Sequence, residues 1–307
     1  MQFGIYSSTK FSLVTMILLS YFQAGMAQKT DRVDDLLIHL NNPRSNYVMV
    51  AAHRGDWYWA PENSLRGFQN CIEMGVDIIE LDVRLSKDRV PVIIHDLTLE
   101  RTTNGQGNVS DWPLDSLKTL YLKDATGVLT PERIPTLEEA MNLTKSKILI
   151  YLDKSVDKVA QVLPILEKTG TLKQAVFVLD FPYAKAKAQF GSYLSQVIYI
   201  PAVADGMKDL DKYVSEYLSK LQPRAFQFRM KSADGAAYPL LKKVLPTSSK
   251  AFVAATWPEH TIGHDDQVSR NNPEAGWGWL IREGFTILET NRPQQLLTYL
   301  RGKKLHD

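Results

Sequence analysis

The chain has 307 residues, of which 44% are hydrophobic and 23% are charged. These fractions are ordinary for a globular protein, and the length allows one large domain or two small ones. The formal net charge of +2 provides neither an overall basic field for nucleic acid nor a marked acidity. We therefore expect a folded protein that binds no nucleic acid.

The first 27 residues have the features of an export signal. Lys10 is the only charged residue among them, and residues 11–22 form an apolar centre that is too short to span a bilayer. Gly25 and Ala27 are small residues at the two positions that signal peptidase recognises, which predicts cleavage after Ala27. An uncleaved anchor or a wrongly chosen start site is the alternative interpretation.

Cleavage would leave a mature domain of residues 28–307 without a stable membrane anchor. Cys71 is the only cysteine, so the chain can form no internal disulfide. An exported protein without disulfides fits a bacterial periplasm better than a small secreted eukaryotic scaffold. We therefore expect a periplasmic location.

Nine apolar runs in the mature region predict nine β-strands. Continuous β-branched runs of this length are typical of buried parallel strands. In chain order the runs are VMVAA, VDIIELD, VPVIIH, KILIYLD, AVFVLD, QVIYIPA, AFQF, KAFVAATW and FTILETN. Helical patterns lie between most of them, at residues 62–74, 155–168, 207–221, 237–245 and 293–301. The region 76–95 can hold two strands in succession without a helix between them.

This alternation predicts a single α/β domain with a closed (β/α)8 TIM barrel. An open doubly wound sheet is the alternative, although no glycine-rich phosphate loop follows the first strand. Residues 97–135 do not fit the alternation. They predict a long loop insertion over the mouth of the barrel, of a kind that is usually functional.

Three carboxylates follow or end predicted strands. Glu80 and Asp82 are two residues apart on one strand, so their side chains point to the same face. Two adjacent buried carboxylates repel each other unless a cation lies between them, and hard oxygen ligands suit Mg²⁺ or Ca²⁺. Asp153, at the end of another strand, would add a third ligand. A salt-bridged carboxylate with a capping residue, and a solvated strand end at Asp153, are the simpler interpretations.

Two histidines stand at the ends of predicted strands. Either His53 or His95 alone would more often be structural, but two at one barrel mouth beside carboxylates are better explained as an acid and a base. Arg54 follows His53 and could hold a phosphate in a bidentate fork, or form a surface ion pair. Glu62 and Asn63 begin the next predicted helix and either orient the site or cap that helix.

Five motifs in compact order resemble the glycerophosphodiester phosphodiesterase family. The family's motifs are H-R-G, P-E-N-T, a glycine followed by E-x-D, H-D, and R-T-T-x-G. Here they stand as His53-Arg54-Gly55, Pro61-Glu62-Asn63-Ser64, Gly75 with Glu80-Leu81-Asp82, His95-Asp96, and Arg101-Thr102-Thr103-Asn104-Gly105. Residues 134–140, IPTLEEA, and 290–293, TNRP, also resemble family segments, so the resemblance spans about residues 48–301.

The resemblance implies a barrel, one divalent cation, and hydrolysis of glycerophosphodiesters to glycerol 3-phosphate and an alcohol. It implies that His53 and His95 are the acid and base and that Glu80 and Asp82 bind the metal. The family's third ligand is the glutamate of an E-x-K strand. This chain has Asp153 directly followed by Lys154, which leaves open whether the lysine reaches the phosphate.

Two further positions bear on the resemblance. Asn291 stands where the family has an aspartate, which removes a charge near the last strand. Trp257 closes a strand at the same mouth and is expected to form an apolar wall for the glycerol or its alcohol.

Two other functions are weighed against this one. The first is a sphingomyelinase D-like or lysophospholipase D-like lipid phosphodiesterase; the former usually carries disulfides, and a lipid enzyme needs an exposed apolar rim. The second is an inactive phosphodiester-binding protein, against which the retained histidines and carboxylates argue. The preferred alcohol, the choice of Mg²⁺ or Ca²⁺, the route through a cyclic phosphate or by direct water attack, and the oligomeric state remain open.

Overall fold

The strands form two sheets in the computed structural model, which describes Met1 and residues 31–307. In chain order they are β1 (Met49–Ala52), β2 (Ile78–Leu85), β3 (Pro91–Ile93), β4 (Tyr121–Lys123), β5 (Leu129–Arg133), β6 (Leu149–Asp153), β7 (Ala175–Leu179), β8 (Ile198–Ala204), β9 (Ala225–Arg229), β10 (Lys250–Ala254) and β11 (Phe285–Thr290). The predicted signal peptide lies outside the described residues apart from Met1, so export and cleavage after Ala27 stay predictions.

Eight of these strands close into a parallel barrel. The order around the ring is β1, β2, β6, β7, β8, β9, β10 and β11, and β1 pairs with both β2 and β11. β3 adds to the outside of β2 in antiparallel fashion, without a helix between them. The TIM-barrel prediction is therefore confirmed, the nine apolar runs are the nine strands of this sheet, and the open-sheet alternative is wrong.

Helices connect the strands around the outside. They are α1 (Arg32–Asn41), α2 (Leu65–Met74), α3 (Leu114–Leu117), α4 (Leu137–Thr144), α5 (Val159–Thr169), α6 (Tyr183–Phe190), α7 (Leu210–Lys220), α8 (Tyr238–Val244), α9 (Asp266–Asn271), α10 (Trp277–Arg282) and α11 (Pro293–Gly302). Within residues 31–307, no helix is long and apolar enough to cross a membrane.

The start of α2 corrects one prediction. Ser64 caps this helix, because its side chain accepts a hydrogen bond from the backbone N–H of Gly67 at 3.0 Å. Glu62 and Asn63 therefore precede the helix instead of beginning it. The capping role that was open for them belongs to Ser64, and their side chains are available for other contacts.

The barrel interior is closed at one end and open at the other. Val33, Leu36 and Leu40 of α1 are buried in the same apolar cluster as the inward side chains of the barrel, such as Met49 and Phe252. Burial of this helix face seals the end at which the strands begin. The inward polar side chains therefore lie at the C-terminal ends of the strands, which α1 leaves uncovered. Active sites of TIM barrels usually lie at this end.

The insertion predicted near residues 97–135 folds into a small structure of its own. It contains α3 and the antiparallel pair β4–β5. Leu99, Leu117 and Leu122 are buried together in it, and Val92 and Ile94 from the barrel join the same cluster. The insertion is therefore packed against the barrel beside β3.

Candidate active site

Three carboxylates converge at the open end of two neighbouring strands. β2 and β6 pair in parallel, so that Asp82 lies opposite Asp153. Glu80 lies on β2 two residues before Asp82 and points to the same face. One oxygen from each of the three side chains lies within 4.8 Å of the others. Glu80 and Asp82 are only 2% and 1% exposed, so solvent does little to screen their charges.

The pKa values of Glu80 and Asp82 are shifted in opposite directions. Burial, followed by repulsion from Asp82 and Asp153, raises the pKa of Glu80 well above its usual range. Burial also acts to raise the pKa of Asp82, but the charges of Lys154 and His95 and the hydrogen bonds from Lys154 and Asn63 together outweigh it, so that this pKa lies below its ordinary value. Three convergent oxygen donors with this excess of negative charge fit one hard divalent cation.

Lys154 reaches the cluster by an unusual backbone turn. Its φ of 52° is in the left-handed region, which a non-glycine residue adopts at some cost. The turn brings Nζ to 2.8 Å from Oδ1 of Asp82 and 3.2 Å from Oδ2 of Asp153. The missing spacer between Asp153 and Lys154 therefore does not remove the ammonium group from the cavity.

His53 is held by a neutral partner. Oδ1 of Asn291 lies 2.8 Å from Nδ1 of His53 and also accepts from Nε1 of Trp57 at 3.2 Å. Because this oxygen can only accept, the hydrogen-bond network assigns the ring proton to Nδ1 and leaves Nε2 bare. Nε2 lies 4.0 Å from Oε2 of Glu80. Burial, followed by the charge of Arg54, lowers the pKa of His53 to about 4.

His95 is held by a charged partner. Its Nδ1 lies 2.6 Å from Oδ1 of Asp96. Arg101 donates to both oxygens of Asp96, at 2.7 and 2.9 Å, and these hydrogen bonds hold the pKa of Asp96 well below its usual range. Arg101 also donates to both oxygens of Glu62, at 2.7 and 2.8 Å. The partner of His95 is therefore an ionised carboxylate.

Arg54 lies between the carboxylates and Glu62. Its φ is 59°, and its backbone N–H donates to Oε2 of Glu80 at 2.8 Å. Its side chain donates to Oε1 of Glu62 at 3.2 Å, and Nε lies 3.7 Å from Oδ2 of Asp82. These contacts hold the guanidinium group at the edge of the cavity.

Asn63 clamps Asp82 from the other side. Its amide group donates to Oδ2 of Asp82 at 2.8 Å and accepts from the backbone N–H of Asp82 at 3.2 Å. Asn63 is buried and also has a left-handed backbone, with φ of 57°. Asn63 thus fixes the carboxylate that it contacts, and its orienting role in the site stays a prediction.

One cavity of about 190 Å³ joins these groups. Trp257 forms part of its wall, is 44% exposed, and stands with its ring centroid 6.3 Å from that of His53. Seven of the ten predicted site residues line the cavity; Glu62 and Asp82 contact lining side chains, and Asn63 contacts Asp82. The cavity is lined by His53, Arg54, Glu80, His95, Tyr151, Asp153, Lys154, Gln227, Arg229, Ala254, Trp257, His260 and Glu289.

Several of these residues were not predicted from the sequence. Gln227 and Arg229 alternate with buried aromatic residues in AFQFR, and Glu289 interrupts the apolar run FTILET. A polar residue at every second position of a buried strand is the same signal that identified Glu80 and Asp82. Burial, then repulsion from Asp153, raises the pKa of Glu289 to about 8.

Comparison with known proteins agrees with this geometry. Residues 53–182 match the model of the glycerophosphoryl diester phosphodiesterase family. Over these residues the chain is similar to that family. The resemblance of the five motifs is thereby confirmed. Residues 199–300 match a different family model, which describes a domain of unknown function, although they form the second half of the same barrel.

Curated relatives match part of the chain. The glycerophosphodiester phosphodiesterase of Caldanaerobacter subterraneus is 47% identical over 101 residues, which are 33% of this chain and 42% of that protein. The mouse glycerophosphodiester phosphodiesterase 1 is 30% identical over 156 residues, which are 50% of this chain and 44% of that protein. The chain thus spans less than half the length of the curated relatives it matches.

Solved structures of family members match the fold over most of the chain. A glycerophosphoryl diester phosphodiesterase from Parabacteroides distasonis has a TM-score of 0.71 and 25% identity, covering 88% of this chain and 92% of that one. A phosphodiesterase from Oleispira antarctica, solved with the product sn-glycerol-3-phosphate, has a TM-score of 0.60 and 22% identity, covering 85% and 99%.

Proposed function

We propose that the protein is a metal-dependent glycerophosphodiester phosphodiesterase that releases glycerol 3-phosphate and an alcohol. The observation that carries the proposal is one cavity in which three carboxylates and two histidines meet, with the histidines held by partners of different charge. A family match over residues 53–182 and the relatives described above support the substrate class.

The partners of the histidines suggest their roles. His53 is neutral and donates from Nδ1 to an amide oxygen, so its bare Nε2 suits a base that accepts a proton. The Asp96 carboxylate beside His95 can stabilise positive charge on that ring, which suits an acid that donates a proton. We therefore assign the base to His53 and the acid to His95.

The proposed reaction has two steps. His53 takes the proton of the glycerol 2-hydroxyl, whose oxygen attacks phosphorus, while the bond to the leaving alcohol breaks and His95 donates a proton to that alcohol. In the second step His95 takes a proton from water, the hydroxide opens the cyclic phosphate, and His53 returns its proton to the glycerol oxygen. Direct attack by water on the diester is the alternative route.

The remaining site residues would bind the phosphate of the substrate or the metal ion. Arg54 and Lys154 are directed at the cavity by their left-handed backbones, and Asn63 fixes Asp82. Glu80, Asp82 and Asp153 would hold Mg²⁺ or Ca²⁺. A cation at these ligands supplies positive charge that offsets the negative charge building up on the phosphoryl oxygens. Trp257 would face the glycerol or alcohol carbons.

A second candidate substrate is a lysolipid. It is favoured by exposed apolar side chains on the loops that follow β1, β3 and β10 and on the turn between β4 and β5. These side chains are Tyr58, Trp59, Leu97, Val128 and Trp257. An apolar rim of this kind is found where proteins bind lipid or protein surfaces.

The decisive experiment is an assay of chelator-treated protein with each metal added back. Glycerophosphocholine, glycerophosphoethanolamine, glycerophosphoinositol and lysolipids serve as substrates. The measured product is glycerol 3-phosphate for the soluble diesters and lysophosphatidic acid for the lysolipids. The proposal expects activity on the soluble diesters that requires Mg²⁺ or Ca²⁺. Release from lysolipids alone would favour the second candidate. Tight binding of diesters without turnover would indicate an inactive binding protein.

A further inference from the structure

The cavity has a second half that lies opposite the residues of the five sequence motifs. The first half comes from β1, β2, β6 and the segment that follows β3, whereas the second half comes from β9, β10 and β11 and the loops that follow them. In the closed ring of eight strands, β9 is four strands from β2 in either direction, so it lies directly across the barrel. This half falls within residues 199–300, which match a domain of unknown function.

Arg229 is the notable cation of this half. Its Nε donates to Oε1 of Gln227 at 3.0 Å, a neutral partner that fixes the plane of the guanidinium group. Among the residues that the structure describes, no carboxylate lies within 4.0 Å of it. Arg54 and Lys154, the other cations of the cavity, each lie within that distance of carboxylates. The terminal nitrogens of Arg229 therefore have no ion pair within 4.0 Å that would occupy them, and a guanidinium group can bind an anion in bidentate fashion. The charge of Arg229 also acts on Glu289, whose pKa it tends to lower.

His260 provides a second observation at the same place. It lines the same cavity, and its Nδ1 is buried without a hydrogen-bond partner among the described residues. A buried polar atom without a partner is uncommon in proteins and is often satisfied by a ligand or a water molecule. Trp257, on the same loop as His260, provides an apolar surface beside it.

We propose that Gln227, Arg229 and His260 form a subsite for a second anionic group of the substrate, a carboxylate or a phosphate. This inference rests on the proposed function. In the proposed function, the phosphate that is cleaved would be bound by Arg54, Lys154 and the cation that the three carboxylates would hold, and the glycerol half carries no other charge. The second anion must therefore belong to the alcohol, so the enzyme selects diesters whose alcohol carries a negative group.

Matched pairs of substrates test the subsite. Glycerophosphoserine and glycerophosphoethanolamine differ by one carboxylate, and glycerophosphoglycerol differs from its terminally phosphorylated form by one phosphate. The measured quantity is the ratio of kcat/KM within each pair, for the wild type, Arg229→Gln, Arg229→Lys and Lys231→Gln. Lys231 is exposed and two residues further along, so Lys231→Gln removes the same charge away from the cavity.

We expect the wild type to prefer the more anionic member of at least one pair. Arg229→Gln should lower that ratio by about 10- to 100-fold, because a hydrogen bond between charged groups contributes roughly 1.5–3 kcal/mol. Arg229→Lys should lower it by less, since it keeps the charge and loses the fork, and Lys231→Gln should keep it. The pair that responds tells whether the group is a carboxylate or a phosphate.

Three results would overturn the inference. The first is an Arg229→Gln enzyme that loses activity equally on both members of each pair, which would place Arg229 at the shared phosphate or in the fold. The second is a ratio of kcat/KM in Arg229→Gln that equals that of the wild type. If Arg229→Gln does not fold, the ratio in Arg229→Lys is compared with the wild type instead. The third is a metal-supplied wild type that is inactive on all four diesters, which would contradict the proposed function and remove the subsite with it.

Discussion

Asn291 holds His53 through a single amide oxygen, which lies 2.8 Å from Nδ1 of the ring. Asn291→Ala should therefore lower kcat by about 10- to 100-fold with little change in KM, because the imidazole loses the partner that fixes its orientation and tautomer. Steady-state kinetics of the purified variant measure the effect. Trp57→Phe is the control, since it removes the other donor to this oxygen but leaves the bond to His53. Equal losses in both variants would contradict the orienting role.

The two histidines should both be indispensable, but in different roles within the first step. His53→Ala and His95→Ala are each expected to lower kcat by about 10²- to 10⁴-fold, which is the usual effect of losing a positioned base or acid. A nitrophenol leaving group needs little protonation, so the rate of nitrophenol release in the first step should largely recover in His95→Ala but not in His53→Ala. His39→Ala, in α1 at the closed end of the barrel, is the control. Recovery in the His53 variant instead would reverse the assignment.

The carboxylate cluster should determine metal affinity. Glu80→Gln, Asp82→Asn and Asp153→Asn each remove one charge from the proposed ligands, so the Kd of the metal-free protein for Mg²⁺ or Ca²⁺ should rise, most for the two buried residues. Calorimetric titration gives this Kd without an activity assay. Asp157→Asn is the control, because this nearby carboxylate is outside the cluster and its side chain is 74% exposed. An unchanged Kd for Asp153→Asn would exclude it as a ligand.

Arg101 connects the surroundings of His95 with those of Arg54. It pairs with Asp96, which holds His95, and with Glu62, which holds Arg54. Arg101→Gln should lower kcat by about 10- to 100-fold, while Arg101→Lys should recover only a part, because an ammonium group cannot bind both carboxylates in bidentate fashion. Measurement of kcat and KM separates this effect from substrate binding. Full activity of Arg101→Gln would mean that neither carboxylate needs it.

The sequence predicts the barrel and the motif half of the site because both depend on local patterns. A strand such as VDIIELD shows its burial and its inward carboxylates within seven letters. The pairing of Arg101 with both Glu62 and Asp96 is not visible in this way, since it depends on how the insertion packs against the barrel. The left-handed turn that returns Lys154 to Asp82 also depends on tertiary contacts. Arg229 and Glu289 were visible as polar interruptions of apolar runs, but they belong to no motif.

Lys250 should destabilise the fold, and the effect should depend on pH. It is the first residue of β10, is 2% exposed, and its Nζ has no hydrogen-bond partner among the described residues. Burial lowers its pKa to about 8 from the ordinary 10.5. Below pH 8 the folded protein must therefore carry an unpaired buried ammonium group, which is a known source of instability. Lys250→Met, of similar length, should raise the free energy of unfolding at pH 7 by about 2–3 kcal/mol.

The sign of the pH dependence follows from the same shift. The pKa of Lys250 is lower in the folded than in the unfolded protein, so its full cost to folding applies below pH 8. This cost disappears as the pH rises from about 8 to 10.5. Urea unfolding at pH 7 and pH 10 gives the difference in the free energy of unfolding between the wild type and Lys250→Met. The contributions of the other titrating groups cancel in this difference. The advantage of the methionine variant should shrink at pH 10. A variant that is less stable than the wild type at pH 7 would show that the ammonium group has a partner that stabilises it.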